Sequence, residues 1–390
     1  MNNVKHRIKK LKKTKFGFLI MAVPLVLGGI FLINSLNVSK ITYVKNSAGV
    51  VETLEGEVSL AWPAVLDTVE YDKRLLDLAN FIAPKPVTVD PNSTSSVDVA
   101  TPILPVYGGN NNVVVPGENW PASAPYPNGD AILPFKRILA YYGNFYSKQM
   151  GILGEYEPDE VLRRLSVEKE KWEAADPNTP VMPAIEYIAM VAQADAGADG
   201  MYRAMMPEVE IEKAHELAKK ANAILILDMQ IGLSTIDREL PKFKKYMERP
   251  DVHLALDPEF SMKSGDKPGT VIGTFNSQDI NYVINYLSDI VKENKLPPKV
   301  LLVHRFTDKM VTGAEQINPT PEVQVVVVMD GWGPKDLKRG TYAQVIEPEP
   351  VQFAGIKIFY KNDLKTPSTG IMTPSDVLSL NPKPIYIQYQ

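Results

Sequence analysis

From Arg137 to the C-terminus the chain repeats one pattern that limits its fold more than any other feature. Eight short, nearly continuous apolar runs cover residues 138–142, 181–187, 223–229, 252–256, 270–275, 300–306, 323–329 and 353–359, and several end in polar or charged side chains. Unbroken apolar runs of this length belong to strands buried on both faces, hence to a parallel sheet covered by helices. Helical segments fit several of the gaps. Residues 158–175 and 207–221 each open with a proline followed by acidic residues, which suits a first turn and its positive dipole end. A helix from Ser234 or Thr235 to Tyr246 is expected to break at Pro241, and residues 277–293 carry Ile280, Val283, Ile284, Leu287 and Ile290 on one stripe. Eight strands with interleaved helices predict an α/β fold, a closed (β/α)8 TIM barrel over residues 135–390. An open doubly wound sheet fits less well, because no glycine-rich phosphate loop follows the first strand. Two places strain the pattern. Residues 260–269 are too short for a full crossover helix, and residues 385–389 read as a plug or an extra strand.

In a TIM barrel, side chains at the C-terminal ends of the strands converge above the packed core. Here those ends carry Tyr142 and Asn144, Glu186, Asp228 and Gln230, Asp257 and Glu259, Thr274 and Asn276, His304 and Arg305, Asp330, and Lys357 with Tyr360. The opposite ends carry mostly prolines, lysines and plain loop residues. Crowded carboxylates raise one another's pKa, which separates a protonated general acid from an ionised partner. Glu259, just beyond the fourth strand, is the candidate acid/base. Asp330, at the end of the expected seventh strand, is the candidate nucleophile or base. Asp228 and Asp257 are placed to tune the pair. Glu186, Gln230, His304, Arg305 and Lys357 offer hydrogen-bonding walls, and Tyr142, Trp332 and Tyr360 offer stacking platforms. The plain alternative is a barrel mouth tied by salt bridges from these acids to Arg305 and Lys357.

Upstream, residues 1–15 hold seven basic and no acidic residues, and the eighteen uncharged residues 16–33 extend without charge to residue 37. At 1.5 Å per residue that length spans a bilayer. The expectation is a basic cytoplasmic tail (1–15), a retained signal-anchor helix (16–37) and a C-terminal domain outside the cell membrane. A membrane-proximal segment (38–83) and a Pro/Asn/Ser-rich spacer (84–134) would follow. A cleaved signal peptide is the weaker alternative, lacking a good cleavage site. There are no cysteines, so disulfides, thiolate metal sites and thiol nucleophiles are excluded. Without the basic tail the formal net charge falls from -4 to -11, which argues against nucleic acid as a partner. No cofactor is expected, although the carboxylates leave room for a calcium or magnesium ion. Nothing in the sequence specifies an oligomer.

The segments Ala140-Tyr141-Tyr142-Gly143-Asn144, Leu227-Asp228-Met229-Gln230, Leu256-Asp257-Pro258-Glu259-Phe260, Val303-His304-Arg305-Phe306 and Met329-Asp330-Gly331-Trp332-Gly333 carry a resemblance. They are similar to uncharacterised bacterial membrane-anchored exported proteins with a glycoside-hydrolase-like TIM barrel. The resemblance implies a cell-surface, glycan-active hydrolase working through paired carboxylates. It departs from well-studied retaining barrels in having Pro258 before Glu259 and an aspartate at residue 330. Two other functions stay open: a catalytically inactive surface binding or assembly module, and a metal-assisted hydrolase of a non-glycan substrate.

Overall fold

The computed structural model describes residues 42–45, 51–54, 62–80 and 119–390. The chain divides into two units, residues 1–60 and 61–390. In the first, Thr42–Lys45 pairs antiparallel with Val51–Leu54.

The second unit is built on eight parallel strands. They are β1 (Arg137–Gly143), β2 (Val181–Ala192), β3 (Ile224–Met229), β4 (Val252–Leu256), β5 (Lys299–Arg305), β6 (Val323–Met329), β7 (Phe353–Ile358) and β8 (Tyr386–Tyr389). Each pairs with its sequence neighbour, and β8 pairs with β1, which closes the barrel. Strand parity explains the sequence pattern. Leu254 and Leu256 of β4 face outward into a large cluster with Leu225, Leu301 and Val325, whereas Ala255 joins Ala140, Ile226, Leu302 and Val328 in the interior cluster. Tyr71 and Leu75 of helix α1 (Thr68–Leu78) join the interior set. So does Leu133, whose backbone N–H and carbonyl both bond the Gln324 side-chain amide at the start of β6.

Helices α2 (Pro158–Ala175), α3 (Glu208–Lys220), α4 (Ser277–Asn294) and α5 (Lys335–Val345) cover the outside. The α2 helix buries Val161, Leu165 and Trp172, while Glu160 on its polar side pairs with Arg163 and Arg164. Helix α4 starts in a reciprocal capping box between Asn276 and Asp279, and its apolar stripe is buried from Ile280 to Val291. Each fully buried aliphatic on such a stripe contributes roughly 1.5–3 kcal/mol. Pro241 interrupts the helical segment after β3, splitting it into Ile236–Glu239, a 3-10 turn at Leu240–Phe243, and Lys244–Met247.

Two strand assignments are corrected. Residues 270–275 do not enter the barrel. Val271 and Ile272 are exposed, and only Phe275–Asn276 forms a strand, paired with Val311–Thr312 outside the main sheet. The segment after β4 is a folded loop, in which Gly273 lies so close to Pro258 and Ser261 that a Cβ would sit 2.5 Å from the Ser261 carbonyl oxygen. The eighth strand is β8, which takes the place left for a plug. The barrel stands, with its strands renumbered.

The anchor is also corrected. No helix among the described residues is long and apolar enough to cross a membrane, and residues 16–37 lie outside the described set. The single-pass topology, the membrane attachment and the location inferred from that helix are withdrawn. The basic tail and residues 84–118 of the spacer also lie outside the described residues.

Candidate active site

The C-terminal ends of β3 and β4 place the first group of polar side chains. Asp257 follows β4 directly and caps the 3-10 turn Pro258–Phe260 by accepting the Glu259 N–H at 3.2 Å. Its other oxygen accepts from Gln230 Nε2 at 3.1 Å, and Gln230 Oε1 accepts the Ala192 N–H. The turn sets Glu259 beside a cleft of about 530 Å³, together with Tyr142, Gln230, Asp257, Asp330, Trp332 and Lys357. Burial, then the charges of Asp257 and Asp330, push the Glu259 carboxyl up to about 8. Burial also lifts Asp257, to about 6, against the opposing pull of His304 and Lys357. Two acids within one cleft therefore hold protons at pH values where an exposed carboxyl has lost its own.

Asp330 reaches the cleft from the end of β6, with its N–H bonded to the Arg305 carbonyl. One carboxylate oxygen lies 3.5 Å from His304 Nδ1, and the other has no partner among the described residues. The site thus draws its two main carboxyls from the ends of the fourth and sixth strands. The expected fourth-to-seventh arrangement is corrected, because residues 270–275 form no barrel strand and the count ahead of Asp330 falls by one.

Beneath the cleft lies a fully buried layer. His304 Nε2 bonds Glu186 Oε1 at 3.1 Å, the Tyr386 hydroxyl donates to Glu186 Oε2, and the Tyr142 hydroxyl donates to Asp228 Oδ2 at 2.9 Å. Burial opposes the His304 imidazolium, but the Glu186 hydrogen bond and the Asp330 charge outweigh it and carry the ring up to about 9. Burial and the Asp257 charge drive Asp228 well upward. Glu186, Asp228 and His304 together make a buried Glu/Asp/His cluster capable of holding a divalent ion.

Lys357 hangs over the Tyr142 ring at 3.8 Å from its centroid. Trp332 is 53% exposed at the rim, with Lys365 over its ring. Three sequence candidates lie elsewhere. Asn144 folds its own loop, donating to Ile188 O and accepting from Tyr146 N. Arg305 points outward from β5 to Glu349 and the Val345 carbonyl. Tyr360 stacks on Tyr389 and bonds Tyr141 and Glu168 behind the sheet. Their places follow from strand parity: His304 points inward, so Arg305 cannot. Sequence reasoning missed Met150, Phe306, Leu337 and Phe359 on the cleft wall, and Tyr386 below it. Tyr386 carried a signal, since the alternation Ile385-Tyr386-Ile387-Gln388 marks a strand with one polar face.

No family model matches this chain, and no curated protein does. Among solved structures it is similar to a Bacillus subtilis mannanase, man26, at 10% identity and TM-score 0.35, over 65% of this chain and 80% of that one. A second Bacillus subtilis mannanase, BCman, is similar at 10% identity and TM-score 0.32, over 66% and 81%. A GH5-4 broad-specificity endoglucanase from an uncultured bacterium is similar at 8% identity and TM-score 0.29, over 57% and 76%. Likenesses this weak carry no argument about chemistry. The resemblance to membrane-anchored exported proteins is corrected in its anchor, because among the described residues no helix is long and apolar enough to cross a membrane. The structure has a TIM barrel with a buried acidic/His cluster of hydrolase-like character.

Proposed function

We propose that this chain is a glycan-active hydrolase in which Glu259 donates a proton to the leaving oxygen and Asp330 acts as nucleophile or base. The observation that supports this most is a carboxyl held near pKa 8 in the same cleft as a second carboxylate that keeps one oxygen free. Glycoside hydrolysis needs a protonated carboxyl beside a second carboxyl group. The remaining walls suit a sugar. Trp332, Phe306 and Phe359 present ring faces or edges, and Gln230 and Lys357 present donors. The chain has no cysteine for a thiol route.

The test is hydrolysis of a panel of neutral polysaccharides by the full chain, with Glu259→Gln and Asp330→Asn as variants. Turnover lost in both supports the assignment, and full turnover in both removes it. The pH profile is a separate expectation. Because the acid works protonated, kcat is expected to drop about tenfold per unit as pH rises above about 8. A profile still rising at pH 9 would exclude Glu259 as the acid. The buried Glu186, Asp228 and His304 favour a second reading, hydrolysis assisted by a bound cation. Turnover retained in both carboxyl variants and abolished by chelator would put that reading in place of the first.

A further inference from the structure

We infer that Glu186, Asp228 and His304 form a binding site for one first-row divalent cation, of the zinc or manganese type, directly beneath the cleft floor. The three side chains are at most 1% exposed, and one donor atom from each lies within 4.8 Å of the other two. Glu186 Oε1 and His304 Nε2 are 3.1 Å apart. That is close to the separation of two ligands each bound about 2.0–2.2 Å from a shared ion. The ion would replace the proton these two atoms now share.

The far side of each carboxyl is already held, and the far nitrogen of the imidazole lies 3.5 Å from a carboxylate oxygen. Tyr386 donates to Glu186 Oε2, Tyr142 donates to Asp228 Oδ2, and His304 Nδ1 faces Asp330 Oδ2. An imidazole that turns its second nitrogen to a carboxylate, beside carboxylates gripped by hydroxyls, is the outer shell that orients metal ligands. A second, independent observation is the remaining oxygen of Asp228. Oδ1 is buried and has no partner among the described residues. A buried carboxylate oxygen in that state is costly, and a cation removes the cost.

An imidazole donor selects against calcium and magnesium, which prefer all-oxygen shells, and favours first-row transition ions and zinc. Entry is short, because Tyr142 and Asp330 both line the cleft and touch this layer. The inference goes beyond the acid–base reading and does not depend on it.

The experiment uses the full chain, stripped with chelator and dialysed, then given zinc or manganese chloride separately. Calorimetry reads affinity, and elemental analysis after desalting reads stoichiometry. The expected result is one equivalent per chain with a raised melting temperature. Binding should be lost in Asp228→Asn and His304→Gln and weakened about tenfold in Tyr142→Phe. His215→Gln should keep it, since His215 pairs with Asp251 on the outer layer. Should the buried variants fail to fold, the wild-type chain still decides the matter. Failure to take up one equivalent of either ion overturns the site. So does binding of calcium or magnesium in preference to both, or binding that survives in folded Asp228→Asn and His304→Gln. Glycan turnover that persists in chelator leaves the Glu259–Asp330 reading intact whichever way this result falls.

Discussion

Glu259→Gln is expected to remove turnover and, above about pH 8, to make the protein more stable. The loss of activity follows from removing a general acid, whose contribution is typically about 10²–10⁴-fold, so a drop near 10³ in kcat is expected. The gain in stability comes from the same carboxyl. Its ordinary value is 4.5, and the fold raises it to about 8 through burial and the neighbouring charges of Asp257 and Asp330. The folded state therefore binds this proton more tightly than the unfolded chain does. The associated stability is fully present below about 4.5 and is lost as pH rises through about 8. At pH 9 the wild type holds an unfavourable carboxylate that glutamine lacks. Because the side chain is partly exposed, we discount the full linkage energy and expect on the order of 2 kcal/mol. That corresponds to a rise of several degrees in Tm for a domain of this size. At pH 4 the two proteins should melt together. Calorimetry at both pH values, beside the activity assay, checks this. An equal Tm difference at both would show that packing, not ionisation, separates the two proteins.

The same physics explains how far the sequence could be read. Seven of the eight barrel strands announce themselves as nearly continuous apolar runs, because a strand sealed between core and helices tolerates few polar side chains. The eighth, Tyr386–Tyr389, is four residues long and buries Gln388, whose amide atoms find no partner among the described residues, so its alternation reads equally as a plug or an extra strand. Residues 270–275 misled in the opposite sense. Val271 and Ile272 are apolar yet exposed, and only the folded loop beneath them reveals that they close no sheet. Placing the site needed less. Strand-end reasoning alone finds Tyr142, Gln230, Asp257, Glu259, Asp330, Trp332 and Lys357 on one cleft. Alternation reads Ala255, Asp257 and Glu259 as one face, and the same parity carried to the end of β5 separates His304 from Arg305. What no pattern could supply is depth, which divides the cleft acids Asp257, Glu259 and Asp330 from Glu186 and Asp228 below.

Lys338→Met is expected to cost about 3–5 kcal/mol, because it breaks a buried ion pair and leaves one charge behind. Lys338 and Asp363 are each about 1% exposed and 3.2 Å apart. Burial pulls the Lys338 ammonium down to about 8, with Asp363 opposing that pull. The ammonium also donates to the Gly331 carbonyl at 2.8 Å and to the Lys357 carbonyl at 2.6 Å. Asp363 in turn accepts the N–H groups of Gly333 and Phe359. One ion pair therefore fastens the loop holding Asp330 and Trp332 to the end of β7, where Lys357 emerges. Methionine fills the volume but offers no donor, so two carbonyls and a carboxylate lose their partner together. Removing the stranded charge should recover part of the loss. Lys338→Met with Asp363→Asn is expected to be more stable than Lys338→Met alone, although asparagine can satisfy only one of the two N–H groups. Urea unfolding of the three proteins tests the argument through their midpoints. A single-variant loss under about 1 kcal/mol, or a double variant weaker than the single, would show that this pair does not hold the cleft wall in place.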